Sequence, residues 1–349
     1  APYSQRGKNI LVNCTMEVKS LTLTPNTGRY QPSFHLQDNS RMIFPKHSAL
    51  QIINDELLEI TSSRDSYIVN QGDFNIFGTL IIGYNLSSYG TIKIAGDGGN
   101  LLITGRSMIQ NMHLYIDKKS SLTTKGSGSH FIQITSNDDV QGTIDAQSTT
   151  TVDITNSTDI GMLKSSEVTG QLFIKSDENT ETYISELAVY RKELHIYRGA
   201  KINVDHCYLD GGTIFLNTTT SINRLNYKSV YGSSASLVIQ YCGDPVSVQT
   251  LNINNRYSPG AQIMGYDYTK CKILIHNDVS VLVQAQLTLQ DVTLQANSHV
   301  NLTTTTISLN QAAVFEFDNK SYVQIHGKSG RIEEQRSSGV KNVILRGTL

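Results

Sequence analysis

The 349-residue chain has no tryptophan, six prolines and four cysteines. Its charges nearly cancel: 29 Lys+Arg stand against 30 Asp+Glu, a formal net charge of −1. Without a basic excess it lacks the electrostatic footprint of a nucleic-acid binder and offers no polybasic patch to anionic lipid. No apolar run reaches the ~18 residues of a membrane span. None of Cys14, Cys207, Cys242 and Cys271 forms a C-x-x-C pair, which argues against a zinc site. Charged residues make up 17% and hydrophobic residues 38% of the chain, so its polarity comes from Ser, Thr, Asn and Gln. That composition, rich in β-branched residues, is not the signature of disorder. No signal peptide is visible, and the start at Ala1-Pro2-Tyr3 reads as a processed or trimmed terminus.

Helical periodicity is also missing. What recurs is a short unit of aliphatic, any residue, aliphatic. Toward the C-terminus the units are Leu287/Leu289, Val292/Leu294, Val300/Leu302, Ile307/Leu309, Phe315/Phe317 and Val323/Ile325, and after the first pair the starts are almost evenly spaced. Leu50/Ile52, Leu58/Ile60, Phe74/Ile76, Ile92/Ile94, Leu114/Ile116, Val152/Ile154 and Ile214/Leu216 carry the pattern through the rest of the chain. Each unit predicts a strand of three to five residues with two side chains in and one out. The spacers are turn residues. Three such strands make a coil of about 22 residues, within the range of repeat folds, and stacked coils pair in parallel over one aliphatic column. Gly-Thr-Leu/Ile recurs at Gly78, Gly90, Gly142, Gly212 and Gly347 and reads as a coil corner where glycine permits positive φ.

These features resemble right-handed parallel β-helix proteins of the pectin-lyase-like and adhesin types, over roughly residues 8 to 327. The resemblance is one of pattern and carries over no family's functional residues. It implies an all-β parallel β-solenoid forming a single domain over residues 1–349. The chain ends at Leu349, where other Gly-Thr units begin a strand, so we expect a piece of a longer polypeptide or one unit of an end-to-end assembly.

An enzyme of this fold needs paired carboxylates at a glycosidic bond. Asp138, Asp139 and Asp145 are the only candidates. Galacturonan hydrolases of this fold also show Gly-His-Gly, which is absent, and Arg-x-Lys, whose spacing Arg198-Gly199-Ala200-Lys201 misses by one residue. Asp65, Asp73, Asp97, Asp117 and Asp145 form no calcium loop. The residues suggest no metal and no cofactor. His195 and His206, with Arg191, Lys192 and Arg198, read as a solvated basic face.

Tyr183, Tyr208, Tyr231 and Tyr257 recur at close to one coil length, and Tyr266 and Tyr268 extend the region. On one face they would form an aromatic ladder for sugar rings. Six N-x-S/T sequons, at Asn13, Asn85, Asn156, Asn217, Asn301 and Asn319, are candidate glycosylation sites. Four cysteines permit two disulfides or buried thiols. The expectation is a secreted, non-catalytic structural or adhesive rod at a cell surface or in a matrix. Its partners would be copies of itself, extracellular polysaccharide or surface proteins. The alternatives are a polysaccharide lyase or hydrolase, and a trimeric fibre shaft. A trimer would require an apolar outer face, and the outward positions read as Thr- and Asn-rich.

Overall fold

A computed structural model describes residues 9–12, 15–23, 33–37, 40–52, 57–62, 66–83, 85–96, 98–110, 113–125, 128–135, 137–155, 158–165, 171–176, 181–190, 193–197, 201–228, 235–240, 242–253, 261–265, 270–281, 286–290, 293–296, 299–303, 306–310, 314–317, 322–326, 331–334 and 342–345. Among them every regular element is a strand. The chain divides into two compact units, residues 1–163 with 169–172, and residues 164–168 with 173–349. Each is a parallel β-solenoid with about 22 residues per turn.

In the first unit three parallel ladders run side by side. One stacks Asn9–Val12, Ser33–Leu36, Leu57–Ser62, Thr79–Ile82, Asn100–Ile103 and Ser121–Thr124. The next stacks Thr15–Glu17, Arg41–Phe44, Tyr67–Asn70, Asn85–Ser88, Ser107–Ile109, Ser129–Ile134 and Thr149–Ile154. The last stacks Ser20–Leu23, Ala49–Ile52, Asp73–Ile76, Thr91–Ile94 and His113–Ile116. Most of these strands have four residues and alternate half-exposed with buried, as Tyr67–Asn70 and Thr79–Ile82 do, because successive side chains point to opposite faces. The inward residues stack on their equivalents one coil on: Leu58 on Leu80, Leu101 and Leu122, and Ile52 on Ile76, Ile94 and Ile116. All are fully buried.

The aliphatic column is interrupted on one face. Asn70 is buried, accepts from the Gly72 N–H at 3.0 Å, and donates to Ser88 Oγ at 3.0 Å and to the Thr91 carbonyl at 3.3 Å. A coil further, Ser107, His130 and Thr150 occupy one inward row, with Ser107 Oγ 2.9 Å from His130 Nδ1 and Thr150 Oγ1 2.7 Å from Thr124 Oγ1. Buried polar groups need such partners to offset their desolvation.

The second unit departs from the short-strand expectation. Its strands alternate between short ones (Glu193–Ile196, Thr213–Leu216, Ala235–Ile239, Ala261–Met264, Gln286–Gln290) and long ones (Glu181–Tyr190, Lys201–Asp210, Thr220–Lys228, Val246–Ile253, Lys272–Val281). The long strands reach ten residues. The merging already shows in the first unit, where Asp139–Ala146 pairs with His113–Ile116 through its start and with Ser121–Thr124 through its end. The physical cause is a bend without a turn. In Lys201–Asp210, Asp205 and His206 both escape burial while Val204 and Cys207 are buried. Ser185 and Glu186 do the same in Glu181–Tyr190. Two outward residues in succession turn the strand onto the next face while pairing continues on both sides. After Lys272–Val281 the ladders separate again, to Thr293–Ala296 and His299–Thr303.

Three of the Gly-Thr units sit at corners, but not for the expected reason; Gly142 and Thr143 lie inside Asp139–Ala146, and Gly347 lies outside the described residues. Thr79, Thr91 and Thr213 open strands in three different ladders, and positive φ occurs instead at Gly96, Gly98 and Gly211. Gly90 is needed for close approach: a Cβ there would meet the Gly72 carbonyl oxygen at 2.0 Å.

Candidate functional site

Asp138 lies between Ser129–Ile134 and Asp139–Ala146, at a turn closed by its own N–H donating to the Thr135 carbonyl at 3.0 Å. Its carboxylate is occupied on both oxygens. The Leu114 N–H, one coil back, donates to Oδ1 at 2.5 Å. The Thr135 N–H and hydroxyl donate to Oδ2 at 2.6 and 3.1 Å. His113 adds a hydrogen bond from its Nδ1 side to the Asn137 carbonyl. Short Asp, Thr and Asn side chains that bond the local backbone in this way build turns.

Asp139 and Asp145 begin and nearly end the same strand but pair with different ladders, Asp139 with Tyr115 and Asp145 with Thr123. Asp145 is 8% exposed and accepts from Gln147 Nε2 at 2.9 Å. The structure thus places one carboxylate in a turn, one at a strand start and one under cover. No group of three His, Cys, Asp or Glu suited to a metal occurs among the described residues.

The tyrosine ladder does not form from the pair that can be placed. Tyr183 and Tyr208 are both exposed, at 50% and 38%. Tyr183 pairs with Asn203, whereas Tyr208 pairs with Ala188 on one side and Asn226 on the other. Tyr208 therefore falls well past the register partner of Tyr183, and the two rings sit at different places along the strands. Tyr231, Tyr257, Tyr266 and Tyr268 lie outside the described residues. Around Tyr183 the face is polar: Glu181 takes hydrogen bonds from Asn203 Nδ2 at 2.7 Å and Lys201 Nζ at 3.1 Å. The Asn203 bond, then that of Lys201, lowers the Glu181 pKa.

Of the sequon asparagines, Asn85 is half-buried and donates Nδ2, the atom a glycan would occupy, to the Ser66 carbonyl at 3.3 Å. Asn217 follows Thr213–Leu216, and its N–H donates to the Ile196 carbonyl at 3.0 Å. Asn301 is in a strand; Asn13, Asn156 and Asn319 lie outside the described residues. Cys242 and Cys271 form a disulfide across 29 residues. They precede Val246 and Ile273, which pair on successive coils, so the bond ties one coil to the next at a corner. Cys207 is a buried free thiol in the column between Leu187 and Leu225, its pKa pushed up to about 12 by desolvation. Cys14 lies outside the described residues.

His195 and His206 belong to different sheets, and Arg191, Lys192 and Arg198 lie outside the described residues. His195 instead sits in an outward aromatic row that sequence reasoning missed. It stacks on Phe173 at 5.2 Å and on Phe215 at 4.5 Å, and Phe173 also stacks on Tyr197 at 5.7 Å. The register leads from Phe215 to Val238, where the outward row ends: Val238 is 7% exposed and every residue of Ala235–Ile239 is buried. This face is apolar, contrary to the expectation of Thr- and Asn-rich outer faces. The signal was the middle residue of each aliphatic pair: Leu172-Phe173-Ile174, Leu194-His195-Ile196 and Ile214-Phe215-Leu216.

Fold and placement define the class as a parallel β-solenoid. No protein-family model, no curated protein and no solved structure matches the chain significantly.

Proposed function

We propose that the chain is a non-catalytic structural or adhesive β-solenoid of a cell surface or extracellular matrix, which associates with its own kind or holds carbohydrate along its polar faces. The observation that carries this reading is the use of Asp138. A general acid or base must be within reach of a substrate proton, and this carboxylate instead accepts from the Leu114 and Thr135 N–H groups. The Cys242–Cys271 disulfide supports an oxidising, extracellular location.

The test is co-sedimentation of the full chain with insoluble cell-wall and matrix polysaccharides, alongside assays for reducing ends and unsaturated sugars. Binding without turnover is expected. Release of products by the wild type, abolished in Asp138→Ala/Asp139→Ala protein that remains folded, would replace this reading with a polysaccharide-active enzyme.

A further inference from the structure

In the first unit the ladder of Arg41–Phe44, Tyr67–Asn70, Asn85–Ser88, Ser107–Ile109 and Ser129–Ile134 keeps an open outer face. Its middle row is Ile43, Val69, Ser87, Met108 and Phe131. None of these is buried, and Met108 is 45% exposed. Beside it, where the strands reach their corner, backbone pairing continues into a second row of Gln71, Tyr89 and Gln110. The Tyr89 N–H donates to the Asn70 carbonyl at 2.7 Å, and the Gln110 N–H to the Ser88 carbonyl at 2.9 Å. Tyr89 is 43% exposed. Gln71 and Gln110 are exposed on either side of it, and among the described residues no hydrogen bond engages either side-chain amide.

Tyr89 is aimed across the sheet. Its hydroxyl donates to Met108 Sδ at 3.9 Å, and Met108 lies one coil on, level with Ser87. The ring therefore leans back over the middle row instead of standing away from the surface, and one of its faces is left to solvent. Buried Asn70 fixes the corner from beneath. Its carbonyl takes the Tyr89 N–H, and its side chain binds the Gly72 N–H and Ser88 Oγ. The polar break in the aliphatic column thus fastens the corner that carries Tyr89. An anchor held in place before binding loses little freedom on binding.

An open aromatic face with amides beside it suits a sugar, whose C–H face packs on the ring and whose hydroxyls pair with the amides. Arg41 is the only Lys, Arg, Asp or Glu of these strands, and its guanidinium lies over the Tyr67 ring at 4.8 Å. Arg106 precedes Ser107 at the opposite corner. The face around Tyr89 therefore offers no charge to a uronate or a sulfate. Its rows repeat once per coil, at ~4.8 Å, as a linear polymer repeats and a branched protein-borne glycan does not. We propose that this face holds a linear neutral polysaccharide along the stack, with Tyr89 under one sugar ring and Gln71 and Gln110 on the hydroxyls to either side. This assignment rests on the proposed adhesive role and specifies its ligand and its face.

Affinity electrophoresis of the full chain tests this, in native gels containing mixed-linkage β-glucan, glucomannan, pullulan or polygalacturonate. Retardation in at least one of the neutral gels, and none in polygalacturonate, is expected. Tyr89→Ala should weaken binding about tenfold or more, the loss of an aromatic anchor. Tyr89→Phe keeps the ring and should bind nearly as the wild type does. Gln71→Ala/Gln110→Ala should weaken binding, and Tyr183→Ala, at an exposed tyrosine of the second unit, should leave it unchanged. Far-ultraviolet circular dichroism checks that each variant keeps its β signature. No retardation in any neutral gel, retardation in polygalacturonate, a Tyr89→Ala protein that binds like the wild type, or an equal loss in Tyr183→Ala would each overturn the proposal. Matrix binding that survives Tyr89→Ala would remove this face and leave the proposed function standing. Retardation that depends on Tyr89 but comes with release of reducing ends would do the reverse.

Discussion

His130 is the residue at which the core departs furthest from an aliphatic column. Its ring is 2% exposed, and Nδ1 meets Ser107 Oγ at 2.9 Å. Desolvation lowers its pKa from 6.5 to about 4, against a smaller raising effect from the Lys125 backbone. The consequence for stability has a definite sign. Above pH 6.5 the imidazole is neutral in both folded and unfolded chains, and its contribution is fully present. Between pH 6.5 and 4 the unfolded chain takes up a proton that the folded chain refuses, so stability falls with pH, then levels off below 4. The shift corresponds to about 3 kcal/mol. Urea denaturation across that window should show the loss in the wild type, and His130→Leu should remove this part of the slope. Asp138 makes the complementary case. Asp138→Ala strips acceptors from the Leu114 and Thr135 N–H groups and should cost about 1–3 kcal/mol. Thermal unfolding measures it, and an unchanged midpoint would mean that the carboxylate is not a turn fastener.

At the scale of elements, the strands were legible wherever an aliphatic pair was closed by turn residues, as in Asp73–Ile76 and Thr91–Ile94. The long strands were not, because a bend replaces the turn. Their mark is a one-residue change of phase, from Val204 to Cys207 or from Ile184 to Leu187, and a search for isolated pairs reads it as two strands. The aromatic row was hidden because an aliphatic pair fixes only which residues face inward and leaves the character of the outward residue between them open. The tyrosine spacing misled because coil length varies: the coil that separates Glu181 from its partner Lys201 is shorter than the one that separates Val246 from Ile273. Corners obey a different constraint from strands. The Gly90 corner lies against the Gly72 carbonyl with no room for a methyl group, so Gly90→Ala should cost about 1–3 kcal/mol, the range for overpacking. Gly98 has open space but φ of +117°, so Gly98→Ala should be destabilising through backbone strain alone. Thermal melts of both variants check the two costs, and a Gly98→Ala protein that melts with the wild type would remove strain as the reason for glycine there.

At the scale of the whole molecule, a solenoid coil contacts its neighbours in the stack, so stability is close to a sum of local and nearest-neighbour contributions. The Cys242–Cys271 bond lies in the second unit and closes a loop across 29 residues. Reducing it should release about 3–4 kcal/mol of constraint on the unfolded chain. Under nearest-neighbour coupling that loss belongs to the coils on either side of the bond. Hydrogen exchange on oxidised and reduced protein should therefore show amides of Val246–Ile253 and Lys272–Val281 exchanging faster after reduction. The ladders from Ser33–Leu36 to Ser121–Thr124 in the first unit should keep their protection. Uniform acceleration in both units would mean that the chain unfolds as one cooperative body, and the description of its stability as a sum over coils would then fail.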